Sequence, residues 1–456
     1  MNRGIFRMYD VRGIAKEDLT DDTVYKIGRA FATYIKRRGG KKVVSGMDVR
    51  LSSPRIKDAF VRGVLDTGID VIDTKLCTSP MLYYSQHFHN ADGGIMVTGS
   101  HNPIEYNGLK MVDPDVTIYG DVIQQFYELA ENEDFEEGSG SYSEYDIEDD
   151  YIDMCVSAVN IEESLKVLVD PGNGTAGPVA EKIFEKLGVE ADFINKQRDG
   201  TFPNHLPDPT VMEYIKELRE KTASGDYDMG IGYDGDCDRI GLLDENGEVI
   251  YGDQILGILA YDLLSRRKGE KIVFDVKCSQ GLEEMINSMG GRPIMHKTGH
   301  SLLKRKMKEE NALLAGEMSG HMFFNENFYG FDDGLFASLL IMQIVSQSKR
   351  KLSDLKGVMP YYNSTPEIRV ECTDSDKFDI VEKVVKHYKD QGRRVIDIDG
   401  ARVYFDNGWA LVRASNTQPI LVVRVEAKTP EALKTIKANV KEHLENYPQV
   451  NTDAIK

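Results

Sequence analysis

The sequence predicts an α/β protein: three successive α/β domains of similar topology followed by a C-terminal α+β domain. Three observations carry this expectation. At 456 residues the chain is too long for one ordinary hydrophobic core and calls for two to four domains. Short apolar strands alternate with helical stretches and tight turns through the first three blocks, the pattern of parallel βαβ units covered on both faces. The last block instead runs strand, helix, several strands, helix, which is an α+β layer.

The first domain, 1–150, places strands over 43–46, 71–73 and 94–97 and a helix over 22–37. It closes on the acidic, Gly- and Ser-bearing stretch 131–150, which has little to bury and is expected to be a linker. The second, 151–250, opens with a strand over 165–170, a turn over 171–177 and a helix to Leu187. A strand over 189–193, a helix near 214–223 and a strand over 229–233 follow. A hairpin then turns about Glu245-Asn246-Gly247. The third, 251–362, repeats the plan with strands over 271–275, 292–296 and 312–316, a helix over 281–289 and another from Ser301. The last, 363–456, has helices over 376–391 and from Pro430, with strands over 395–399, 401–405, 409–414 and 421–427 between them.

Composition narrows the function classes. The formal net charge is −19, so most of the surface repels nucleic acid and acidic membranes. An anionic substrate would need a local concentration of Lys and Arg. The sequence holds no apolar run long enough to span a bilayer, and residues 1–10 lack the apolar core of a secretory signal; a cytoplasmic location is expected. Five dispersed cysteines without a CxxC pair argue against a disulfide framework or a zinc site.

Four short segments carry chemistry. In Asp234-Gly235-Asp236-Cys237-Asp238-Arg239, three carboxylates at every second position follow an apolar strand. Their crowding is costly without a cation, and hard oxygens suit Mg²⁺ or Ca²⁺. An EF-hand is rejected, because Arg239 stands where that loop requires Gly and the flanks are strands. Thr98-Gly99-Ser100-His101-Asn102-Pro103 follows another strand, where a Ser beside Gly and His can be a nucleophile or simply cap a turn. Gly316-Glu317-Met318-Ser319-Gly320-His321 offers groups that suit hydrogen bonding to vicinal sugar hydroxyls, or is equally a turn with a satisfied Glu. Arg413-Ala414-Ser415-Asn416-Thr417, with Arg424 on the next strand, suits a phosphate cradle and nearly as well an Asn/Ser turn of a hairpin.

Together these motifs, in this order and with Tyr9-Asp10-Val11-Arg12-Gly13, Asp275-Val276-Lys277 and 297–301 between them, resemble the α-D-phosphohexomutase superfamily, and within it the phosphomannomutase/phosphoglucomutase branch. The resemblance runs the length of the chain. It implies four domains around a central cleft, with Ser100 carrying the phosphoryl group. Asp234, Asp236 and Asp238 would hold Mg²⁺ with the phosphoserine oxygen. Glu317 and Ser319 would grip the sugar O3 and O4. Arg413, Ser415, Asn416 and Thr417 would bind the phosphate that is not transferred.

By motif position Arg12, Lys110 and Arg239 would add positive charge near the transferring group, while Lys277 and His300 would meet the substrate from the third domain. Tyr9, His321 and Arg424 join the substrate-binding set. His101, Lys110 and His300 are the candidates for general acid and base. The implied reaction converts hexose 1-phosphate and hexose 6-phosphate through a hexose 1,6-bisphosphate, with glucose 1,6-bisphosphate as activator and mannose and glucose phosphates as substrates. A monomer and a dimer both fit. Retention of the bisphosphate implies a C-terminal domain that hinges near 360–366. The alternatives are a phosphoglucosamine mutase, against which Met318 speaks modestly, and a non-catalytic sugar-phosphate sensor.

Overall fold

One four-stranded unit recurs three times in the computed structural model, which describes residues 1–114, 118–415 and 418–456. In the first unit, parallel strands Lys42–Met47, Asp70–Leu76 and Gly94–Val97 are followed by antiparallel Tyr106–Val112. Their spatial order is fourth, third, first, second. The second unit has the same order with Lys166–Asp170, Glu190–Phe193, Met229–Tyr233 and antiparallel Ile240–Asp244. The third repeats it with Lys271–Asp275, Arg292–His296, Leu314–Gly316 and antiparallel Met322–Phe324. Similar topology was expected; the antiparallel fourth strand was not, and it turns the chain back directly after the third strand.

The C-terminal unit is an antiparallel sheet led by Ala401–Phe405, Gly408–Ala414 and Ile420–Ala427, with helices Lys377–Asp390 and Pro430–Leu444 packed on it. This is the α+β layer expected. The hairpin about 245–247 also forms, between Ile240–Asp244 and Val249–Ile250, so strands and not helices flank the carboxylate loop.

The stretch 131–150 corrects an expectation. It is not a free linker. Tyr142–Glu144 adds a parallel strand to the sheet edge beside Asp70–Leu76, which satisfies backbone groups an edge would leave open. Its acidic side chains are met by helix Asp21–Arg37: Arg37 lies 2.7 Å from Asp134 and 3.0 Å from Glu136, and Arg29 lies 2.7 Å from Glu137. A new helix, Glu148–Ala158, already belongs to the packing of the second unit.

One apolar core runs through all three repeated units, from Met81 and Met96 through Val167 and Ile231 to Phe274 and Leu335. They form a continuous frame. The C-terminal unit has its own core around Val370, Tyr388, Val423 and Leu444. It is docked on the third unit by a small cluster of Val276, Trp409 and Leu411. Buried Arg402 stacks 3.6 Å from the Trp409 ring centre and donates to the carbonyls of Val276 at 2.6 Å and Cys278 at 2.8 Å. Among the described residues, no helix is long and apolar enough to cross a membrane.

Because two buried carbonyls depend on that guanidinium, Arg402→Met should cost about 2–4 kcal/mol. Calorimetry is expected to show the C-terminal unit unfolding ahead of the frame in this variant, where the parent shows less separation.

Candidate active site

The repeat decides where the chemistry lies. In each unit the turn between the third strand and its antiparallel fourth is one of the motif loops: 98–103, 234–239 and 316–321. Each turn is tight enough to need a residue at positive φ, namely Ser100 at 47°, Cys237 at 66° and Gly320 at 93°. The loops meet across the unit boundaries. Ser100 Oγ donates to Asp234 Oδ2 at 2.6 Å, and Ile240 N–H donates to Gly320 O at 3.1 Å. Gly235 permits the first contact, since a Cβ there would sit 2.5 Å from the Ser100 carbonyl oxygen.

Asp234, Asp236 and Asp238 are fully buried, with carboxylate oxygens within 4.8 Å of one another. Two like charges at such spacing repel by about 4 kcal/mol at an effective dielectric constant of 20, so cations must converge. Lys110, on strand Tyr106–Val112 of the first unit, donates to Asp236 at 2.6 Å and to Asp238. Ser79, at the N-terminus of helix Ser79–Phe88, donates through Oγ to Asp236 at 2.5 Å. Burial and the other two carboxylates push the Asp234 carboxyl well up. Burial opposes ionisation of Asp238 too, but Lys110 holds it below the usual range. Burial works against the Lys110 ammonium, yet Asp236 and Asp238 raise its pKa well above the ordinary value. Both carboxylates thus favour the charged form of Lys110. Asp236 Oδ1 and Asp238 Oδ1 have no hydrogen-bond partner. Free hard oxygens on a buried trio fit a hard divalent cation.

The serine loop is clamped from below. Arg50, 2% exposed, donates to four carbonyls: Ser100 at 2.9 Å, Asn102 at 2.5 Å, Pro103 at 2.7 Å and Tyr106 at 3.0 Å. Asp48 accepts from Gly99 N–H at 3.0 Å, and a Cβ on Gly99 would lie 2.3 Å from the Arg50 Nε. This clamp holds Ser100 in its left-handed conformation, a strain of the kind stored at functional sites.

Arg239 orders two histidines. It donates through Nε to His321 Nε2 at 3.0 Å and lies through Nη1 at 3.5 Å from His101 Nε2. Each imidazole thus keeps its lone pair on Nε2 and its proton on Nδ1. His101 Nδ1 is 2.9 Å from Ser100 Oγ. Burial, then Arg239 and Arg12, push the His101 pKa well down, so it is neutral. His321 Nδ1 is 3.0 Å from Asp332, whose other oxygen is 3.1 Å from Lys304. His321 was expected to touch substrate. It is 2% exposed and lies between Arg239 and Asp332. Arg12 pairs with Asp10.

Glu317 Oε1 accepts from Gly299 N–H at 2.5 Å and Oε2 from Ser319 Oγ at 3.0 Å. Tyr9 donates to Thr298 O at 2.9 Å, which ties the first unit to that same loop. His300 opens the next helix, His300–Glu310. Burial drives its pKa down to about 4, and its buried Nδ1 has no partner. Tyr9, Lys110 and His300 share the wall of a cavity of about 340 Å³ between the first and third units.

In the C-terminal unit Arg413 lies 3.2 Å from Asp399, and Asp399 also accepts from Thr298 N–H at 3.0 Å. Ser415 Oγ caps Gln418 N–H at 3.2 Å. Asn416 and Thr417 lie outside the described residues. Arg424 stands on the neighbouring strand, Ile420–Ala427. Its guanidinium faces Asp253 at 3.6 Å and Glu426 at 3.8 Å, between this unit and the third. Two carboxylates at the unit interface have captured it. Lys277 lies 2.9 Å from Glu367. The cations expected near an anionic substrate are thus gathered here, in a chain of net charge −19.

Sequence reasoning missed Arg50, Asp48, Lys304, Asp332, Asp399 and Glu367. A signal for the first two was available. Asp48, Asp170 and Asp275 stand at the carboxyl end of the first strand in each unit, and each accepts the N–H two residues on at 2.9 Å. That shared Asx turn is an internal repeat of a single residue type, and it places Arg50 and Lys277 at equivalent points.

Comparison with known proteins agrees with this geometry. Models of the phosphoglucomutase/phosphomannomutase alpha/beta/alpha domains I, II and III match residues 3–137, 149–247 and 251–362, and the model of the C-terminal domain matches 367–443. The chain belongs to the phosphoglucomutase/phosphomannomutase family. It is 42% identical over 433 residues to a phosphomannomutase/phosphoglucomutase of Pseudomonas aeruginosa, covering 95% of this chain and 94% of that one. It is 40% identical over 454 residues to a phosphoglucomutase of Neisseria gonorrhoeae, covering 99% and 98%. A crystal structure of a family protein from Burkholderia thailandensis superposes with a TM-score of 0.93 at 39% identity, covering 99% of each chain. The enzyme is accordingly an isomerase of the phosphotransferring kind, a phosphohexomutase.

If Arg50 serves to aim Ser100, then Arg50→Met should lower kcat about 100-fold and leave KM for sugar phosphate within about twofold. Steady-state kinetics on the variant, with circular dichroism to confirm folding, checks both values.

Proposed function

We propose that the enzyme interconverts the 1- and 6-phosphates of mannose and glucose through a phosphoserine at Ser100 and a hexose 1,6-bisphosphate that turns over in the cleft. The observation that carries this is the 2.6 Å contact between Ser100 Oγ and Asp234, which puts the serine of the first motif loop against a trio of buried carboxylates. In this reading Mg²⁺ is held by Asp234, Asp236, Asp238 and the phosphoserine oxygen, where it would neutralise charge on the transferring group. Glucose 1,6-bisphosphate would prime Ser100.

Positioning and electrostatics supply most of the catalysis in such a transfer. Lys110, Arg239 and Arg12 face the transferring phosphoryl oxygens. His101, neutral with its proton on Nδ1 beside Ser100 Oγ, keeps that proton and donates a hydrogen bond to the serine oxygen as the phosphoryl group leaves. His300, neutral and with an unpartnered Nδ1, receives the proton of the attacking sugar hydroxyl. Glu317 and Ser319 hold two sugar hydroxyls, and Arg413, Ser415, Asn416 and Thr417 hold the resident phosphate. The working units are 1–150, 151–250, 251–362 and 363–456, the last swinging about 360–366 while the bisphosphate reorients.

Phosphorus NMR tests the reaction directly. Mannose 1-phosphate and glucose 1-phosphate are each supplied with Mg²⁺ and a trace of glucose 1,6-bisphosphate, and glucosamine 1-phosphate is run beside them. Conversion of the first two to 6-phosphates is expected, with loss of at least about 1,000-fold in Ser100→Ala or on chelation of the metal. Reaction of glucosamine 1-phosphate alone would move the enzyme to the phosphoglucosamine branch. An unchanged Ser100→Ala rate would remove the serine from the mechanism.

A further inference from the structure

The cations at the phosphate-binding end of the cleft already hold an anion, and it belongs to the protein. Lys277, 9% exposed, sits with Nζ 2.9 Å from Glu367 Oε1. Glu367 follows Pro366 and precedes strand Ile368–Cys372, so it stands where the chain enters the C-terminal unit. That strand pairs with Ile420–Ala427, which carries Arg424 and pairs in turn with the strand carrying Arg413. Lys277 first, and then Arg424 and Arg413, hold the Glu367 carboxyl below the usual carboxylate range against the effect of burial. Asp399 repeats the arrangement on a smaller scale, 3.2 Å from Arg413.

We propose that Glu367 is the resident counter-ion of this end of the cleft, a positioning residue that holds Lys277 until the phosphate of an incoming sugar displaces it. The inference rests on the reading of Lys277 as a substrate contact and extends it. A buried ammonium with no anion is costly. The ligand-free enzyme avoids that cost with Glu367, and the substrate-bound enzyme avoids it with a phosphate dianion. Binding is then an exchange of one anion for another on a charge that is never left bare. The exchange weakens net affinity, and this is useful to an enzyme whose bisphosphate must let go of one end and re-engage with the other.

The sign of the consequence distinguishes this role from a structural one. If Glu367 competes with phosphate, removing its charge strengthens anion binding. If it merely props Lys277 in place, removing it weakens binding. Calorimetric titration with inorganic phosphate is the direct probe, made on the full chain with Mg²⁺. Glu367→Gln is expected to bind phosphate about fivefold more tightly, and its thermal midpoint should rise more on adding phosphate than that of the parent. KM for glucose 1-phosphate should fall by a similar factor, and kcat should fall because products leave more slowly. Glu367→Asp should stay near the parent. The effect should vanish in Lys277→Met/Glu367→Gln, which removes both charges together and so guards against a variant that is merely misfolded.

Equal or weaker phosphate binding by folded Glu367→Gln, or the same gain in the double variant, would overturn the proposal. Failure of the mutase reading would show separately, as absence of turnover in the parent, while the phosphate titrations would still decide the role of Glu367.

Discussion

Three carboxylates buried in one six-residue turn cannot exist alone, and most of the architecture around them answers that demand. Asp234, Asp236 and Asp238 come from the second unit, but the groups that make their burial tolerable come from elsewhere in the fold. Lys110 and Ser79 arrive from the first unit, while His321, held by Asp332, arrives from the third to meet Arg239. The continuous core under the three units keeps these partners in register. Breaking the frame would leave like charges facing one another in a low-dielectric site. Positive groups aimed at one point are also what a transferring phosphoryl group requires.

Repetition explains how three loops of different chemistry come to one place. Each unit turns back from its third strand into an antiparallel fourth. The first unit sets the serine on that turn, the second the carboxylates, and the third the paired Glu317 and Ser319. The first strand of each unit ends in an Asp that fixes the following turn. From that turn Arg50 reaches under the serine loop and Lys277 reaches toward the C-terminal unit. A single local geometry, used three times with different side chains, builds the cleft from three sides. The C-terminal unit supplies the fourth, and it is docked by the small Val276, Trp409 and Leu411 cluster and by Arg402 rather than by an extension of the core of the frame.

What the sequence disclosed and what it hid divide along the range of the interaction. Strand ends and motif loops were visible because alternation of apolar runs and Gly-bearing turns is a local property. The three-aspartate loop was visible because its crowding is itself improbable without a cation. The stretch 131–150 misled because its acidic composition looks solvated until Arg29 and Arg37, about a hundred positions earlier, are seen to neutralise it. Arg424 and His321 were placed by motif position, whereas Asp253, Asp332 and Arg239 decide their orientation from distant segments. Arg50 was marked only by the Asp turn that recurs in each unit, and Glu367 has no local signature of function at all. Their meaning lies in which carbonyls and which ammonium they meet.

The mechanism stands or falls on Ser100 as the carrier of the phosphoryl group. The most direct measurement is to incubate the enzyme with radiolabelled glucose 1,6-bisphosphate, locate the label by peptide mass spectrometry, and then chase with unlabelled glucose 1-phosphate. One label per chain is expected, on Ser100, released into the sugar phosphates during the chase at the rate of turnover. Label on another residue, or turnover that proceeds while Ser100 stays unlabelled, would contradict it.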